Sequence, residues 1–292
     1  MGLGFTGTFS AAGVTFADPW YERPRVEEQV ELEPRVPGSL RVLSVNVAHG
    51  RGVAFHQLLT RPRNIRRNLD AIAQLIRAAD ADLVALQELD APSAWSGGFD
   101  HLEYLCHATG HAHSYHGLHV LSRTPRLAYG TGVLSRFPIS GGVSHRFGQN
   151  VLDTKGYVLT QIATPSGPLD MVSVHLDFKR DNERRAQLRL LSEHLAARTN
   201  PGAFLVVAGD FNCTVEGDGS VLASFARDRA LQIATPDVID GGTLGTFPSG
   251  APRRRIDYVM VCEQLRFQKR VVLPVRVSDH LPVLAEVSPR AI

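Results

Sequence analysis

The chain has 292 residues, of which 43% are hydrophobic and 21% charged; this composition is typical of a globular protein and excludes a disordered or fibrous one. This length accommodates one large α/β domain or two small ones, with a substantial buried core. The 31 Lys and Arg residues barely exceed the 29 Asp and Glu residues, so the formal net charge of +2 does not by itself indicate a nucleic-acid-binding protein.

The three cysteines, Cys106, Cys213 and Cys262, are widely spaced and odd in number, so they predict neither a disulfide framework nor a zinc site. No apolar segment approaches the roughly 20 residues needed to span a bilayer. The mildly apolar N-terminus lacks the basic start and compact apolar core of a signal peptide. These features favour a cytoplasmic protein and leave open whether the N-terminus is a processed or truncated leader.

Residues 1–38 predict an extended lead-in, because the segment YERPRVEEQVELEPRVPGS combines three prolines with many charges. One domain is expected over residues 39–292, since neither an internal repeat nor a second change in composition marks a boundary. It opens with the apolar strand LRVLSVNVA. A helix is predicted in RPRNIRRNLDAIAQLIRAA, where four isoleucine or leucine side chains recur at helical spacing behind Pro62.

The next predicted strand, ADLVALQEL, ends in Glu88, and the segment YGTGVLSRFPI predicts a short strand closed by Pro138. A hairpin is predicted in YVLTQIATPSGPLDMVSVHLD, since two alternating runs flank a turn that contains Pro165 and Gly167. A second helix is predicted in DNERRAQLRLLSEHLAARTN, and further strands in VVAGDFNCT, RIDYVMV and LPVLAEV.

Hairpins mixed with crossover helices predict mixed sheets, and the number of strands is sufficient for two of them. Two such sheets bury their apolar faces by packing against each other and against helices on the outside. We therefore expect an α/β (α+β) fold that is a four-layer sandwich, in which two packed mixed β-sheets are flanked by helices.

Polar side chains lie where the predicted strands begin or end. Asp210 and Asn212 follow a buried apolar run, and the alternation of an extended segment places both side chains on the same side. Ordinary turn formation is the alternative explanation for these residue types. The other strand ends and starts carry Asn46, Glu88, His175, Asp177, Asp257, Asp279 and His280. Because strand ends and antiparallel strand starts share an edge in a mixed sheet, these residues can line one cleft.

The residue types in this cleft indicate a chemistry. Carboxylate and amide oxygens without a thiolate suit Mg²⁺ or Mn²⁺ better than zinc. Histidines beside such an ion serve as proton-transfer groups or as cationic stabilisers of a phosphoryl oxyanion, and an aspartate behind an imidazole fixes its tautomer. Phosphoester hydrolysis needs this set of groups.

Six segments carry a family resemblance: SVNVA, LVALQE, VSVHLD, GDFN, RIDYV and SDHLPV, in this order between Ser44 and Val283. As a set they resemble the endonuclease/exonuclease/phosphatase superfamily, which includes DNase I, the exonuclease III type of abasic-site nucleases, inositol-polyphosphate 5-phosphatases and neutral sphingomyelinases. Each short segment alone is a weak signal, and only the ordered set is specific.

The resemblance implies a metal site. It makes Glu88 the principal ligand, with Asn46 close to it, and Asp279 an additional carboxylate on the metal side or the water side. Asp177 is either a secondary ligand or the start of the next loop. Structural explanations remain open for each residue, such as a strand-end cap for Asn46.

The resemblance also implies catalytic roles. His280 contacts the scissile phosphate and is oriented by Asp257, while Asp210 and Asn212 respectively activate or position the attacking water and bind a phosphate oxygen. His175 is the second phosphate-contacting histidine of the DNase I and phosphatase branches, or else a hydrogen-bonded core histidine. The motifs leave open which group is the general base and whether one ion acts or two.

The expected activity is that of a divalent-metal phosphoesterase, with a phosphodiesterase that attacks by in-line water favoured and a lipid headgroup or small molecule as substrate. A DNA or RNA nuclease is the alternative, and a catalytically silent binding module on the same fold is the second. Arginines near the predicted cleft edges serve either a nucleic acid or a single headgroup. They are Arg180, Arg184, Arg185 and residues 253–255. A monomer is expected.

Two features have no assigned role. Six histidines fall within residues 101–119, where we favour a solvated helix and loop that border the cleft over a second metal or phosphate site. Trp95 is interpreted as an anchor for a loop over the substrate, and Phe211 is expected in the core.

Overall fold

The structure is a computed structural model, and it describes residues 26, 30, 32–54, 56–57, 60–148, 154–198, 200, 202–216, 220–234 and 245–290. Most of the predicted lead-in over residues 1–38 therefore lies outside the described residues. The described part packs against the domain: Val26 is buried, and Arg35 donates to the Asp82 carboxylate at 3.1 Å.

The described residues form twelve strands and four helices. The strands are β1 (Leu40–Asn46), β2 (Leu83–Asp90), β3 (His113–Arg123), β4 (Arg126–Ser135), β5 (Ile139–Arg146), β6 (Gly156–Thr164), β7 (Gly167–His175), β8 (Phe204–Asp210), β9 (Leu231–Ile233), β10 (Asp257–Cys262), β11 (Leu265–Val272) and β12 (Val283–Pro289). The helices are α1 (Pro62–Ala78), α2 (His101–Thr109), α3 (Asp181–Arg198) and α4 (Val221–Asp228).

The strands form two six-stranded mixed sheets. The first has the order β11-β12-β1-β2-β4-β3, and the second has the order β5-β6-β7-β8-β10-β9. Each sheet contains one parallel pair, β1 with β2 and β7 with β8, among otherwise antiparallel neighbours. The predicted mixed topology is confirmed, and so is the hairpin of β6 and β7, whose register runs from Gly156–His175 to Thr164–Gly167.

The core has two parts that correspond to the layers. Between the sheets, Val42 and Leu83 of the first sheet pack with Met171 and Val206 of the second. On the outer face of the first sheet, α1 buries the four apolar side chains that the sequence pattern placed on one stripe. The leucines of α3 cover the second sheet in the same way. The four-layer sandwich expected from the sequence is confirmed.

Several elements differ from the sequence-based prediction. Strand β2 continues past Glu88 to Asp90, because Glu88 adopts a left-handed conformation (φ 50°) inside a bulge against β4. The strand predicted over residues 129–139 is β4, which begins earlier, at Arg126, and ends at Ser135, before Pro138. Elements β3, β5, α4, β9 and β11 were not predicted.

The expectation of a solvated helix and loop in residues 101–119 is correct for the helix, which is α2, but wrong for the loop, which is mostly the start of β3, and for the exposure of the histidines. Three of its histidines are buried and hydrogen-bonded: the Nε2 atoms of His101, His111 and His119 lie 2.9, 3.1 and 2.9 Å from Ser96 O, Ala81 O and Thr131 Oγ1. These hydrogen bonds hold the three rings in place and offset part of the cost of burying them. These contacts give the three histidines a structural role.

No helix among the described residues is long and apolar enough to cross a membrane. The three cysteines are free thiols, as expected from their spacing.

Strand register brings the polar strand ends together. In the second sheet His175 pairs with Asp210, and Asp210 pairs in turn with Asp257. In the first sheet Asn46 pairs with Gln87, which places Glu88 one residue further along the same edge. These pairs lie at the same end of both sheets, since Asn46 of the first sheet contacts Asp210 of the second. The two sheets therefore form one site together.

Gly209 supports this arrangement, since it precedes Asp210 and has a φ of 152°. A Cβ at this position would lie 2.0 Å from the carbonyl oxygen of Val174 on the neighbouring strand. We expect Gly209→Ala to lower the free energy of unfolding by about 3 kcal/mol, because β7 and β8 must separate to admit a methyl group.

The control is Gly202→Ala, whose Cβ would meet nothing within 4 Å although its φ is 82°. Backbone strain alone should cost that variant roughly 1 kcal/mol. Urea unfolding of both variants measures the difference, and equal destabilisation would contradict the steric argument.

Candidate active site

The carboxylate of Asp210 is the centre of the site. It is buried, and its Oδ2 accepts a hydrogen bond from Asn46 Nδ2 at 3.1 Å. The Nε2 atoms of His175 and His280 lie 3.4 and 3.8 Å from the same oxygen. The other oxygen, Oδ1, accepts from the backbone N–H of Asn212 at 2.9 Å. Asp210 therefore joins β1 of the first sheet to β7 and β8 of the second.

His280 and Asp257 form an imidazole–carboxylate dyad. His280 Nδ1 lies 2.9 and 3.2 Å from the two carboxylate oxygens of Asp257, and both residues are buried. The ring of Phe247 packs on the imidazole with a centroid distance of 4.8 Å. A carboxylate on Nδ1 orients the ring and leaves Nε2 facing Asp210. The predicted orientation of His280 by Asp257 therefore has the geometry it requires.

The two histidines beside Asp210 differ in charge, because their pKa values shift in opposite directions. Burial opposes a charge on His280, but the Asp257 and Asp210 carboxylates outweigh it and raise the pKa of His280 to about 10. Burial and the nearby charge of Lys155 hold the pKa of His175 well below its ordinary value. At neutral pH the site thus contains a cationic His280 and a neutral His175.

The protonation of Asp210 follows from the same surroundings. Burial raises the pKa of Asp210 to about 7, with Asp257 adding to the rise and the positive charge of His280 opposing it. A carboxylate that exchanges a proton near neutral pH has the property of a general base at that pH.

Glu88 forms a second, acidic part of the site. Burial by itself would raise the pKa of Glu88, but the electrostatic influence of the neighbouring basic residues His49, Lys155, His175 and Arg51 holds it well below the ordinary value. Glu88 Oε2 lies 3.4 Å from both His49 Nε2 and Arg51 Nη1. Its left-handed backbone is the kind of strain that is found at functional positions.

Asp279 is connected to Glu88 through Arg51. The guanidinium of Arg51 contacts Glu88 with Nη1 and the Asp279 carboxylate with Nη2. The sequence did not single out Arg51, which stands between two glycines in a loop after β1. Its position depends on the path of that loop and has no local sequence signal.

A second buried dyad, also missed in the sequence, supports Glu88. His49 Nδ1 lies 2.6 Å from Asp90 Oδ2, while Trp95 Nε1 and Ser96 Oγ each donate to Asp90 Oδ1 at 2.9 Å. Trp95 also packs against the His49 ring at a centroid distance of 5.0 Å. In this structure Trp95 therefore anchors the loop after β2 to the acidic part of the site.

Other residues proposed from the sequence have structural contacts. Asn46 Oδ1 accepts from Ala48 N at 3.0 Å, and Asn212 Nδ2 donates to Leu176 O at 3.0 Å. The carboxylate of Asp177 accepts from two backbone N–H groups of the following loop, which supports its loop-forming alternative. Phe211 is buried, as expected.

The donor set fits a hard divalent cation. Glu88 and Asp279 offer carboxylate oxygens that the Arg51 guanidinium already bridges, while Asn46 directs its Nδ2 to Asp210 and its Oδ1 to Ala48 N. Asp210, Asp257 and His280 also place one possible ligand atom each within 4.8 Å of one another. In that second group Nδ1 of His280 is already bonded to Asp257, so Nε2 is the ring nitrogen open to an ion.

A cavity of about 380 Å³ adjoins the site beside Asn212. Three of the expected arginines, Arg184, Arg185 and Arg254, line it. Arg254 Nη2 also reaches the backbone oxygen of Asn212 at 3.4 Å. Two others serve different purposes, because Arg180 pairs with Glu183 and Arg255 lies over the ring of Tyr258.

Known proteins resemble this chain in sequence and in fold. A family model described as the endonuclease/exonuclease/phosphatase family matches residues 43–280. Several solved structures share the fold. One is an endonuclease/exonuclease/phosphatase from Beutenbergia cavernae DSM 12333 (23% identity, TM-score 0.68), where the match covers 86% of this chain and 72% of that one.

Two further solved structures have the same fold at lower identity. A mannosyl-6-phosphatase from Bacteroides thetaiotaomicron VPI-5482 has 16% identity and a TM-score of 0.64, with 85% of this chain and 99% of that chain covered. Sphingomyelinase C from Streptomyces griseocarneus has 18% identity and a TM-score of 0.62, again with 85% and 99% covered. No curated protein matches the chain.

The raised pKa of His280 gives a pH prediction for the metal-free protein. The folded state holds a proton on His280 up to about pH 10, whereas the unfolded chain releases it near the ordinary value of 6.5. The stabilisation from this proton is complete below pH 6.5 and is lost as the pH rises from about 7 to 10. The proton on Asp210 also stabilises the folded state, because the pKa of Asp210 is raised. This contribution is lost at lower pH, as the pH rises from 3.8 to about 7.

Urea unfolding in EDTA at several pH values measures this loss, with His280→Gln as the control. The free energy of unfolding of the wild type should fall more steeply between pH 7 and 10 than that of the variant. Parallel profiles would show that His280 does not titrate in this range.

Proposed function

We infer the function from the fact that the chain belongs to the endonuclease/exonuclease/phosphatase family: we propose that it is a divalent-metal-dependent phosphoesterase, and more narrowly a phosphodiesterase. The observation that carries the proposal is the cationic His280, oriented by Asp257, opposite an Asp210 carboxylate that titrates near neutrality.

The proposed metal site uses Glu88, Asn46 and Asp279, with Mg²⁺ or Mn²⁺ as the ion. When bound, the ion neutralises charge on the phosphate and polarises its P–O bonds. Glu88 is suited to this role because its low pKa keeps it ionised despite burial. A single ion or two ions are both compatible with these residues.

The protein groups divide the remaining work. Asp210, with a pKa of about 7, accepts a proton from the attacking water, and Asn46 holds the carboxylate in place. The protonated Nε2 of His280 donates to a phosphoryl oxygen as negative charge develops there. The neutral His175 offers a hydrogen bond without adding a second positive charge.

The cavity beside Asn212 supports a diester over a monoester. It provides room for a second substituent on the phosphate, and its lining, which combines three arginines with Asp181 and Glu216, favours a substituent that is itself polar. Among structures of this fold, one is named as a mannosyl-6-phosphatase and another as a sphingomyelinase. The fold alone therefore does not select between a monoester and a diester, and the choice rests on the cavity. A lipid headgroup or a small phosphorylated molecule fits the proposal.

The first test is hydrolysis of bis(p-nitrophenyl) phosphate and p-nitrophenyl phosphate with Mn²⁺, Mg²⁺ or EDTA. The diester should be cleaved faster, and EDTA should abolish both rates. Glu88→Gln should reduce the metal-dependent rate by about a thousandfold, because the loss of roughly 4 kcal/mol of transition-state stabilisation corresponds to that factor.

The matched control is Glu183→Gln, an exposed glutamate on α3 that pairs only with Arg180 in the described contacts. It should retain the wild-type rate. Full activity of Glu88→Gln, with an unchanged circular dichroism spectrum, would contradict the metal assignment. No hydrolysis by any form, together with no Mn²⁺ binding, would favour the silent binding module.

A nuclease is the second candidate, because the same arginines could follow a phosphate backbone. For duplex DNA the logarithm of the binding constant should fall against the logarithm of salt concentration with a slope of about −0.9 per neutralised phosphate. If the substrate is a small molecule, we expect a shallow slope that corresponds to at most one or two phosphate contacts.

Fluorescence anisotropy with a random labelled duplex between 50 and 200 mM salt measures this slope. Arg254→Gln serves as the comparison, since that side chain lines the cavity outside the proposed metal site. A slope near −5 for the wild type, which Arg254→Gln makes less steep by about one, would favour the nuclease.

A further inference from the structure

The guanidinium of Arg51 occupies the space between the two acidic side chains of the proposed metal site. Its Nη1 lies 3.4 Å from Glu88 Oε2, and its Nη2 contacts Asp279 Oδ2. The side chain is mostly buried, with 17% of its surface exposed. A cation of the protein itself therefore neutralises the two carboxylates that are proposed to bind the metal.

The loop that carries Arg51 is fixed on both sides. Gly50 and Gly52 both have positive φ values, 72° and 64°. A Cβ on Gly50 would lie 2.8 Å from Ile65 of α1, and a Cβ on Gly52 would lie 2.8 Å from the Asn68 side chain. Asn68 also donates to Gly50 O at 2.8 Å. The backbone of Arg51 is thus held against α1, so its approach to Glu88 is part of the fold.

The guanidinium is also bound by its own loop. Nε donates to Ala54 O at 3.2 Å, and Nη1 lies 3.4 Å from Ala48 O. With two carbonyls and two carboxylates as acceptors, the planar group is well satisfied in this position. The contacts to Glu88 and Asp279 use the outer nitrogen atoms, which can leave by side-chain rotation while the loop stays in place.

A divalent ion and this guanidinium compete for the same oxygen atoms. Mg²⁺ binds carboxylate oxygens at about 2.1 Å, whereas Arg51 uses Oε2 of Glu88 and Oδ2 of Asp279. Two cations on one pair of carboxylates repel each other in a partly buried site. The ion and the Arg51 contacts therefore exclude each other.

We propose that Arg51 is an internal counter-ion of the Glu88–Asp279 pair, and that a divalent ion binds there by displacing its guanidinium. The inference rests on the proposed role of Glu88 and Asp279 as ligands. It makes Arg51 a residue that sets the metal affinity: it preserves the two carboxylates in position without metal, and it raises the metal concentration at which the site fills. The displaced guanidinium remains at the edge of the site.

Mn²⁺ binding measured by electron paramagnetic resonance tests the proposal without relying on activity. Arg51→Gln should lower the dissociation constant for Mn²⁺ at least tenfold, which corresponds to about 1.4 kcal/mol. Arg189→Gln, an exposed arginine on α3, is the matched control and should bind like the wild type. Arg51→Lys retains the charge but cannot contact both carboxylates in the same way, so its affinity should lie between those of the wild type and Arg51→Gln.

Thermal unfolding provides an independent readout. In EDTA, Arg51→Gln should melt below the wild type, because Glu88 and Asp279 lose their compensating cation. On addition of saturating Mn²⁺, its melting temperature should rise by more than that of the wild type, since ligand stabilisation grows with affinity. If Arg51→Gln does not fold, Arg51→Lys supplies both measurements.

The outcomes separate the inference from the proposed function. Equal or weaker Mn²⁺ binding by Arg51→Gln or Arg51→Lys, in a wild type that binds Mn²⁺, overturns the role of Arg51 and leaves the metal site intact. Absence of Mn²⁺ binding in all four proteins overturns both the inference and the metal-dependent function. Tighter binding by the Arg51 variants alone confirms the competition.

Discussion

The burial of the Asp210 carboxylate at the end of β8 is the constraint on which the site depends. A buried carboxylate is stable only when hydrogen bonds and positive charge compensate for its lost hydration. Here Asn46 supplies an amide from the first sheet, while His280 supplies the charge from the loop before β12. The two sheets must therefore pack in one register for the carboxylate to be satisfied, which ties the integrity of the site to the packing of the sandwich.

The two halves of the site use different cations to compensate the charge of their carboxylates. On one side, Asp257 and Asp210 share a single cationic imidazole. On the other, Glu88 and Asp279 share the guanidinium of Arg51. The first cation is held by an oriented ring, whereas the second belongs to a flexible side chain. The imidazole is consequently suited to act on a substrate in place, and the guanidinium is suited to be exchanged.

The sequence predicted the parts of this protein that depend on local patterns. Apolar periodicity located α1, α3 and most central strands, and polar residues at strand ends identified Asp210, Asp257 and His280. The positions of these residues follow from the chain entering and leaving a buried sheet. Their proximity follows from strand register, which the structure provides; their assigned roles stay predictions.

Residues placed by loops could not be predicted in the same way. Arg51 and His49 contact Glu88, and Asp90 contacts His49, because the loop after β1 packs against α1 and because β2 bulges at Glu88. The histidines of residues 101–119 were misinterpreted for a related reason. Their burial depends on partners such as Thr131 on a neighbouring strand, and polar composition alone does not reveal those partners.

The position of β12 has a consequence for biosynthesis. This strand lies between β1 and β11, with Leu40 paired to Val287, and it directly follows Asp279 and His280. Such distant pairing makes the first sheet one of the slower elements to form. A nascent chain that has emerged only as far as β10 already carries Asp210 and Asp257 but lacks the His280 imidazole that balances their charge. The enzyme we propose would therefore acquire its complete site only after β12 is translated and inserted, and every shorter intermediate would lack it.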